Sequence, residues 1–338
     1  MRSKLIGFAK QAVHLGERLY FGGEPLPAFC ITNHGPVYAA FWFDYFRNAR
    51  DMQRALAAFE RPVFLFSLGY HCETQERLQE IISQAAQVQD VLDVHETHFL
   101  CNSEKEVELL TGAGFSAILA NANAFLDENR YPLVNRPKVY DAIYIARFTP
   151  CKRHPLAKKI PKLRLIGSHL PSERQVFLEF RAALSHANWT ESVLAKDVPS
   201  EIASAHVGLC LSDVEGAMYV SCEYLLCGRP VVSTPNIGGR DVFFDPRWVI
   251  EAQPNEDDIF RAVEELKARK IPPELIRQET IAKLHAARQP VIELIQRIFD
   301  ERWIPVDFSR EWGAAFTHKL GLRCRVSFRN GKRVLRAG

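Results

Sequence analysis

LSDVEGAMYVSCEYLLCGRPVVSTPNIGG, residues 211–239, holds a strand end, a polar loop, a helix and a second strand in one line. The apolar run "HVGLCLS" reads as a strand buried on both faces, ending at Ser212. A polar turn then brings up Glu215 and Gly216, and a helix beginning near Met218 carries Glu223 on its second turn. Such a turn presents backbone N–H groups at a helix start, which suits phosphate oxygens, and Gly216 lets the backbone approach closely. On an unbroken helix two glutamates eight positions apart would lie about 12 Å apart along the axis; with Glu215 on the loop they lie closer. One carboxylate can then accept from sugar hydroxyls and the other from a ribose diol.

Working outward, the same alternation recurs on both sides. "YDAIYIA", "KLRLIGS" and "RPVVSTP" are further short apolar runs of buried-strand type, separated by helical stretches such as "EDDIFRAVEELKAR". Toward the N-terminus, "AFCITN" is followed by a turn at "HGP" and by "VYAAFWFDYFRNA", read as a helix. "PVFLFSL" leads through "GYHCETQ" into "ERLQEIISQAA", and "HFLCNS" leads into "EKEVELLTGAG". Ser103 is an N-cap candidate there, with Glu106 at the capping-box position. If every strand ends in a loop that opens a helix, the loops share the carboxyl edge of the sheet, where ligands of such sheets bind. That reasoning nominates His34, Gly35 and His71 for the first sheet.

The stretch "LDENRYPLVNRPK" has two prolines and little periodicity, so the expected division is a first α/β domain over residues 1–125, a linker at 126–138 and a second α/β domain at 139–285. Residues 286–338 read as helices and a basic hairpin around Asn330-Gly331, with a return to the first domain left open. The N-terminal stretch, with Leu5, Phe8, Ala9, Ala12, Val13 and Leu15 near one face, reads as an amphipathic helix.

At 338 residues the chain is longer than one core usually serves. Its 47% hydrophobic and 25% charged residues are those of a globular protein. Forty-three basic against 40 acidic side chains give +3, too little for general affinity for nucleic acid. Eight cysteines without a Cys-x-x-Cys pair suggest buried free thiols rather than a metal site or disulfide framework. His95 and His98 have no third ligand at suitable spacing, and no signal h-region is visible. The expected location is cytoplasmic, with peripheral contact at the inner face of the membrane left open.

The string from Glu215 through Glu223 to the Gly-Arg-Pro-Val-Val-Ser-Thr-Pro run and the Gly238-Gly239 loop resembles the retaining GT-B glycosyltransferases of family 4. "YIARFTPCKRHP" resembles the strand and loop in which that family's arginine and lysine, here Arg147 and Lys152, bind the donor diphosphate. The resemblance is clear over about residues 140–270 and mainly architectural over the first 125. It implies two Rossmann-like α/β/α domains facing across a cleft. Arg147, Lys152 and Glu215 would be catalytic. Glu223, Gly216, Ala217, Met218, Tyr219, Val220, Gly167, Ser168 and Val198 would be donor-binding. His34, Gly35 and His71 are set on the acceptor side. The chain departs from the pattern at Ala217-Met218, where the family often has Phe-Gly, and at Ala146, where it has glycine.

The implied reaction moves a sugar from a nucleotide-diphosphate sugar to a hydroxyl of a glycan or glycolipid acceptor, such as a surface polysaccharide, with retention. Asp-x-Asp is missing, so side-chain cations would replace a metal, and no cofactor is expected. A nucleotide-sugar epimerase and a non-catalytic nucleotide-sugar-binding subunit remain as alternatives.

Overall fold

The computed structural model describes residues 18–32, 34–322, 324–329 and 332–337. The expected amphipathic helix and the Asn330-Gly331 turn lie outside them. Two compact units are present: one runs up to Phe125 and resumes at Ala286, and the other is Leu126–His285. Both are α/β with parallel strands, as expected from the alternating pattern.

In the first unit the strands lie in chain order: β1 (Arg18–Phe21), β2 (Glu24–Thr32), β3 (Val37–Phe41), β4 (Val63–Ser67), β5 (Glu96–Cys101) and β6 (Ala117–Leu119). β1 to β3 pair antiparallel and β3 to β6 parallel. "VYAAF" is thus a strand, not the start of a helix. All five residues are buried, in register with β4 from Val37↔Val63 to Phe41↔Ser67. The helix begins only at Trp42, burying Trp42, Tyr45, Ala49 and Met52 at helical spacing. The ring run hid the boundary, because a continuous apolar segment has no period to tell strand from helix.

This difference moves two candidates. Because β2 runs antiparallel to β3, residues 34–36 sit at the amino edge of the parallel strands, opposite the edge where ligands bind. His34 and Gly35 are therefore withdrawn as acceptor residues. His34 Nε2 lies 2.9 Å from the Glu311 carboxylate, and a Cβ on Gly35 would meet Ile304 at 3.4 Å and Phe299 at 3.7 Å. Both serve to seat the C-terminal segment. His71 follows β4 and stays at the carboxyl edge. One sheet face, with Tyr38, Ala40, Phe64, Phe66 and Phe99, packs on Leu78, Ile81 and Leu110 of the crossover helices. His95 is buried, its Nδ1 2.7 Å from the Tyr45 hydroxyl, and burial draws it down to about 4. It is a core histidine.

The second unit holds β7 (Tyr140–Ile145), β8 (Leu163–Ile166), β9 (Asn188–Thr190), β10 (Ala205–Cys210), β11 (Val231–Ser233) and β12 (Val249–Glu251). All pair parallel in the order β12-β11-β10-β7-β8-β9. The chain builds outward from β7 to β9, then returns to place β10 on the other side of β7. Strand order reverses between β7 and β10, which is where open α/β sheets bind their ligands.

The helix Tyr219–Leu226 packs hard on β10. A Cβ on Gly208 would fall 2.4 Å from the ring of fully buried Tyr224, whose hydroxyl accepts from the Ile145 N–H at 2.8 Å. Gly208→Ala should lower unfolding free energy by about 1–3 kcal/mol through overpacking, since Tyr224 cannot retreat without orphaning that N–H. Urea denaturation checks this; an unchanged midpoint would mean that the ring yields freely.

A single 29-residue helix, Pro273–Glu301, is followed by the helix Phe308–Ala315 and by β13 (Cys324–Arg329) and β14 (Lys332–Ala337), which pair antiparallel. Among the described residues no helix is long and apolar enough to cross a membrane.

Candidate functional site

Two loops flank the β7–β10 reversal. The first, residues 146–153, leaves β7; the second, residues 211–218, leaves β10. Buried tyrosines on the strand and helix below hold the first. Tyr144 of β7 donates its hydroxyl to the Lys152 carbonyl at 2.8 Å, and Tyr224 receives Ile145 as described above. Arg153, left-handed at φ 49°, ties this loop to the others by donating to the Leu211 carbonyl (2.6 Å) and the Thr234 hydroxyl (2.7 Å). Asp213 N–H donates to the Cys151 carbonyl at 3.3 Å.

The structure brings Lys152 and Glu215 into direct contact, Nζ on Oε1. Their side chains are only 16% and 14% exposed, so the pair is shielded from bulk solvent. Ser212 donates to the same Glu215 oxygen at 2.7 Å. Burial draws the Lys152 ammonium down to about 8, and the positive charges of Arg147 and Arg240 act in the same direction. Arg147 is close enough to be felt there, while its own Nε lies 3.3 Å from Glu173 on a half-exposed side chain.

Glu223 is buried on the helix Tyr219–Leu226 and accepts from the Tyr131 hydroxyl at 2.8 Å. Tyr131 comes from the stretch read as a linker. Burial and the Glu223 carboxylate push its own ionisation far above the usual tyrosine range. Gly216, Ala217 and Tyr219 are half-buried, and Val220 is buried on the first turn of that helix. Met218 precedes it at φ 51°, ψ 77°, a region that costs a residue with a Cβ about 1–2 kcal/mol. That is the position where the family pattern carries glycine.

Gly167 ends β8 against the first loop: a Cβ there would sit 1.9 Å from the Ala146 carbonyl oxygen, so only glycine fits. Ser168 is exposed, and its carbonyl accepts from Phe148 N–H at 2.8 Å. Val198 opens the helix Val198–Ala203, half-buried, on the way from β9 to β10.

Arg240, not singled out from sequence, is fully buried. It donates to the Ser212 carbonyl (2.7 Å), the Ser233 hydroxyl (2.7 Å), the Thr234 carbonyl and the Asp241 carboxylate (2.7 Å). It therefore clasps the ends of β10 and β11 beneath the loop that carries Glu215. The only sequence signal was its place just after Gly238-Gly239. Among the described residues no group of three His, Cys, Asp or Glu is placed to hold a metal ion.

Residues 148–268 match the family described as Glycosyl transferases group 1. No curated protein matches the chain. Among solved structures, Anabaena HepE in complex with UDP is similar at 16% identity, over 77% of this chain and 78% of that one, with a TM-score of 0.55. Sucrose-phosphate synthase from Thermosynechococcus elongatus is similar at 14% identity, over 80% and 75%, with a TM-score of 0.60. A glycosyltransferase from Rickettsia africae is similar at 13%, over 76% and 82%, with a TM-score of 0.54. At these identities the likeness is one of fold.

Proposed function

We propose that this chain, a GT-B glycosyltransferase of group 1 by its residues 148–268, moves a sugar from a nucleotide-diphosphate sugar to a hydroxyl of a glycan or glycolipid acceptor. The observation that carries the reading is the shielded Lys152–Glu215 pair at the strand-order reversal. A diphosphate entering there offers Lys152 a stronger partner, with Arg147 on the same loop as the second cation. Glu215, released from the ammonium, accepts from sugar hydroxyls, and Glu223 accepts from the ribose diol. The helix start at Gly216–Val220 faces the phosphates, with Gly167, Ser168 and Val198 toward the nucleoside.

As the anomeric C–O bond to phosphate breaks, charge builds on the departing diphosphate, and Arg147 and Lys152 stabilise it. The acceptor oxygen forms its bond on the same face and passes its proton to the leaving phosphate oxygen, so configuration is retained. These cations do the work of a metal ion, and the reaction persists in chelator. The acceptor side falls to the first unit with His71, the acceptor being a surface polysaccharide or glycolipid at the cytoplasmic side of a membrane.

UDP-glucose is the first donor to test, since the similar HepE structure holds UDP. Release of UDP with a new glycosidic bond, its anomeric configuration read by NMR, supports the reading; failure across a panel of nucleotide sugars rejects it. A pH profile tests the cation directly. Lys152 binds phosphate only when protonated, so UDP affinity of the free protein should be greatest below about pH 8 and fall as pH rises through it. Lys152→Arg, charged throughout, should flatten the profile. A flat wild-type profile would remove Lys152 from the diphosphate.

A further inference from the structure

A second recess, unused by the donor chemistry, lies at the carboxyl end of β4 in the first unit, between the helices Trp42–Ala55 and Gln75–Gln87. Its volume is about 130 Å³. Two rings line it, Phe43 and 54%-exposed Tyr70, with centroids 5.9 Å apart. Each carries a guanidinium on its face: Arg47 lies 5.9 Å from the Phe43 centroid and Arg77 5.6 Å from that of Tyr70.

The recess is built rather than incidental. Trp42 donates to the Gln84 side chain at 2.7 Å, and the buried Glu106 carboxylate accepts from the Cys72 N–H at 2.8 Å and from that of Asn102, fixing the loop that presents Tyr70 and His71.

We propose that this recess binds an acceptor sugar bearing an anionic group, a carboxylate or a phosphate, between Arg47 and Arg77. A guanidinium stacked on a ring keeps its in-plane N–H donors for a planar or tetrahedral anion. Arg77 shares its charge with exposed Glu80 at 2.8 Å, whereas Arg47 has no carboxylate partner among the described residues. Two cations face one acidic side chain among the lining residues, leaving a net positive wall. The 54%-exposed Tyr70 ring leaves apolar surface for the C–H side of a pyranose, as aromatic rings do toward apolar surfaces. Burial and the charge of Arg77 lower the His71 pKa, against a smaller opposing pull from Glu73, and its ring can bond a sugar hydroxyl. The transferase reading gives the bound sugar its role as acceptor; the binding itself does not depend on it.

Calorimetry on the full chain tests this with methyl glucuronide, glucose 6-phosphate and neutral methyl glucoside as probes. At least one acidic probe should bind about tenfold tighter than the neutral one, the worth of one charge-assisted hydrogen bond, and the tighter of the two names the anion. Arg47→Gln and Arg77→Gln should each erode that preference, and added salt should reduce it. Tyr70→Ala should weaken all three probes together. All three residues are exposed groups whose loss leaves the core intact. Equal affinities, no binding of either acidic probe, or a preference that survives in both arginine variants would overturn the proposal. UDP binding by the same wild-type preparation separates the two readings: if UDP fails while the acidic preference stands, the donor site is wrong and this recess is not.

Discussion

Lys152→Met is expected to lower kcat/KM for donor consumption by about 10²–10³-fold, the usual cost of removing one preorganised stabiliser of developing negative charge. The geometry makes the residue hard to replace. Its carbonyl is held by Tyr144 and its ammonium is screened from water with Glu215, so solvent cannot simply take its place. Methionine keeps the packing but leaves the Glu215 carboxylate with Ser212 as its side-chain partner among the described residues, so some stability is lost as well. Adding Glu215→Gln should restore stability and leave turnover low, separating charge placement from folding. Steady-state release of UDP from UDP-glucose is the readout. Turnover of Lys152→Met within about twofold of wild type would mean that the diphosphate is stabilised elsewhere.

Arg240→Met should destabilise the protein by about 3–5 kcal/mol, the range for breaking a buried charge from its partner. Two carbonyls, a hydroxyl and the Asp241 carboxylate lose their donor at once, and the first three lie in the interior. Turnover should fall too, because Ser212, whose carbonyl Arg240 holds, bonds Glu215 alongside Lys152. Arg240→Lys should be intermediate, since one ammonium cannot span both strand ends as a planar fork does. A urea midpoint equal to wild type in Arg240→Met would show that the clasp is dispensable.

Much of the second unit was legible in the sequence because its strands are continuous apolar runs, a signal that needs no partner to be read. "YDAIYIA" and "HVGLCLS" became β7 and β10. Their adjacency was not legible, since strand order depends on crossovers that no local pattern records. For the same reason the Lys152–Glu215 contact, 63 positions apart, follows only from the sheet. Tyr131 escaped notice because a proline-rich stretch reads as linker, although its ring is buried and its hydroxyl meets Glu223. Arg240 escaped because a buried arginine looks like any loop charge until the carbonyls around it are seen. The first sheet misled where rings ran together: with β3 taken as helix, the antiparallel turn at His34 was mistaken for a crossover loop.

The first unit draws on both flanks of the second. At Gly321, φ 76°, a Cβ would fall 2.6 Å from the ring of Phe29 on β2, so these distant positions must close on one another. A ribosome delivers the polypeptide from its amino end, and domains generally fold as units once their residues have emerged. The inserted second unit thus has its whole sequence available while β2 and β3 still wait for Phe299, Ile304 and Gly321. During synthesis the earlier-made sheet is the later to finish, and its apolar strands are what a chaperone would meet first.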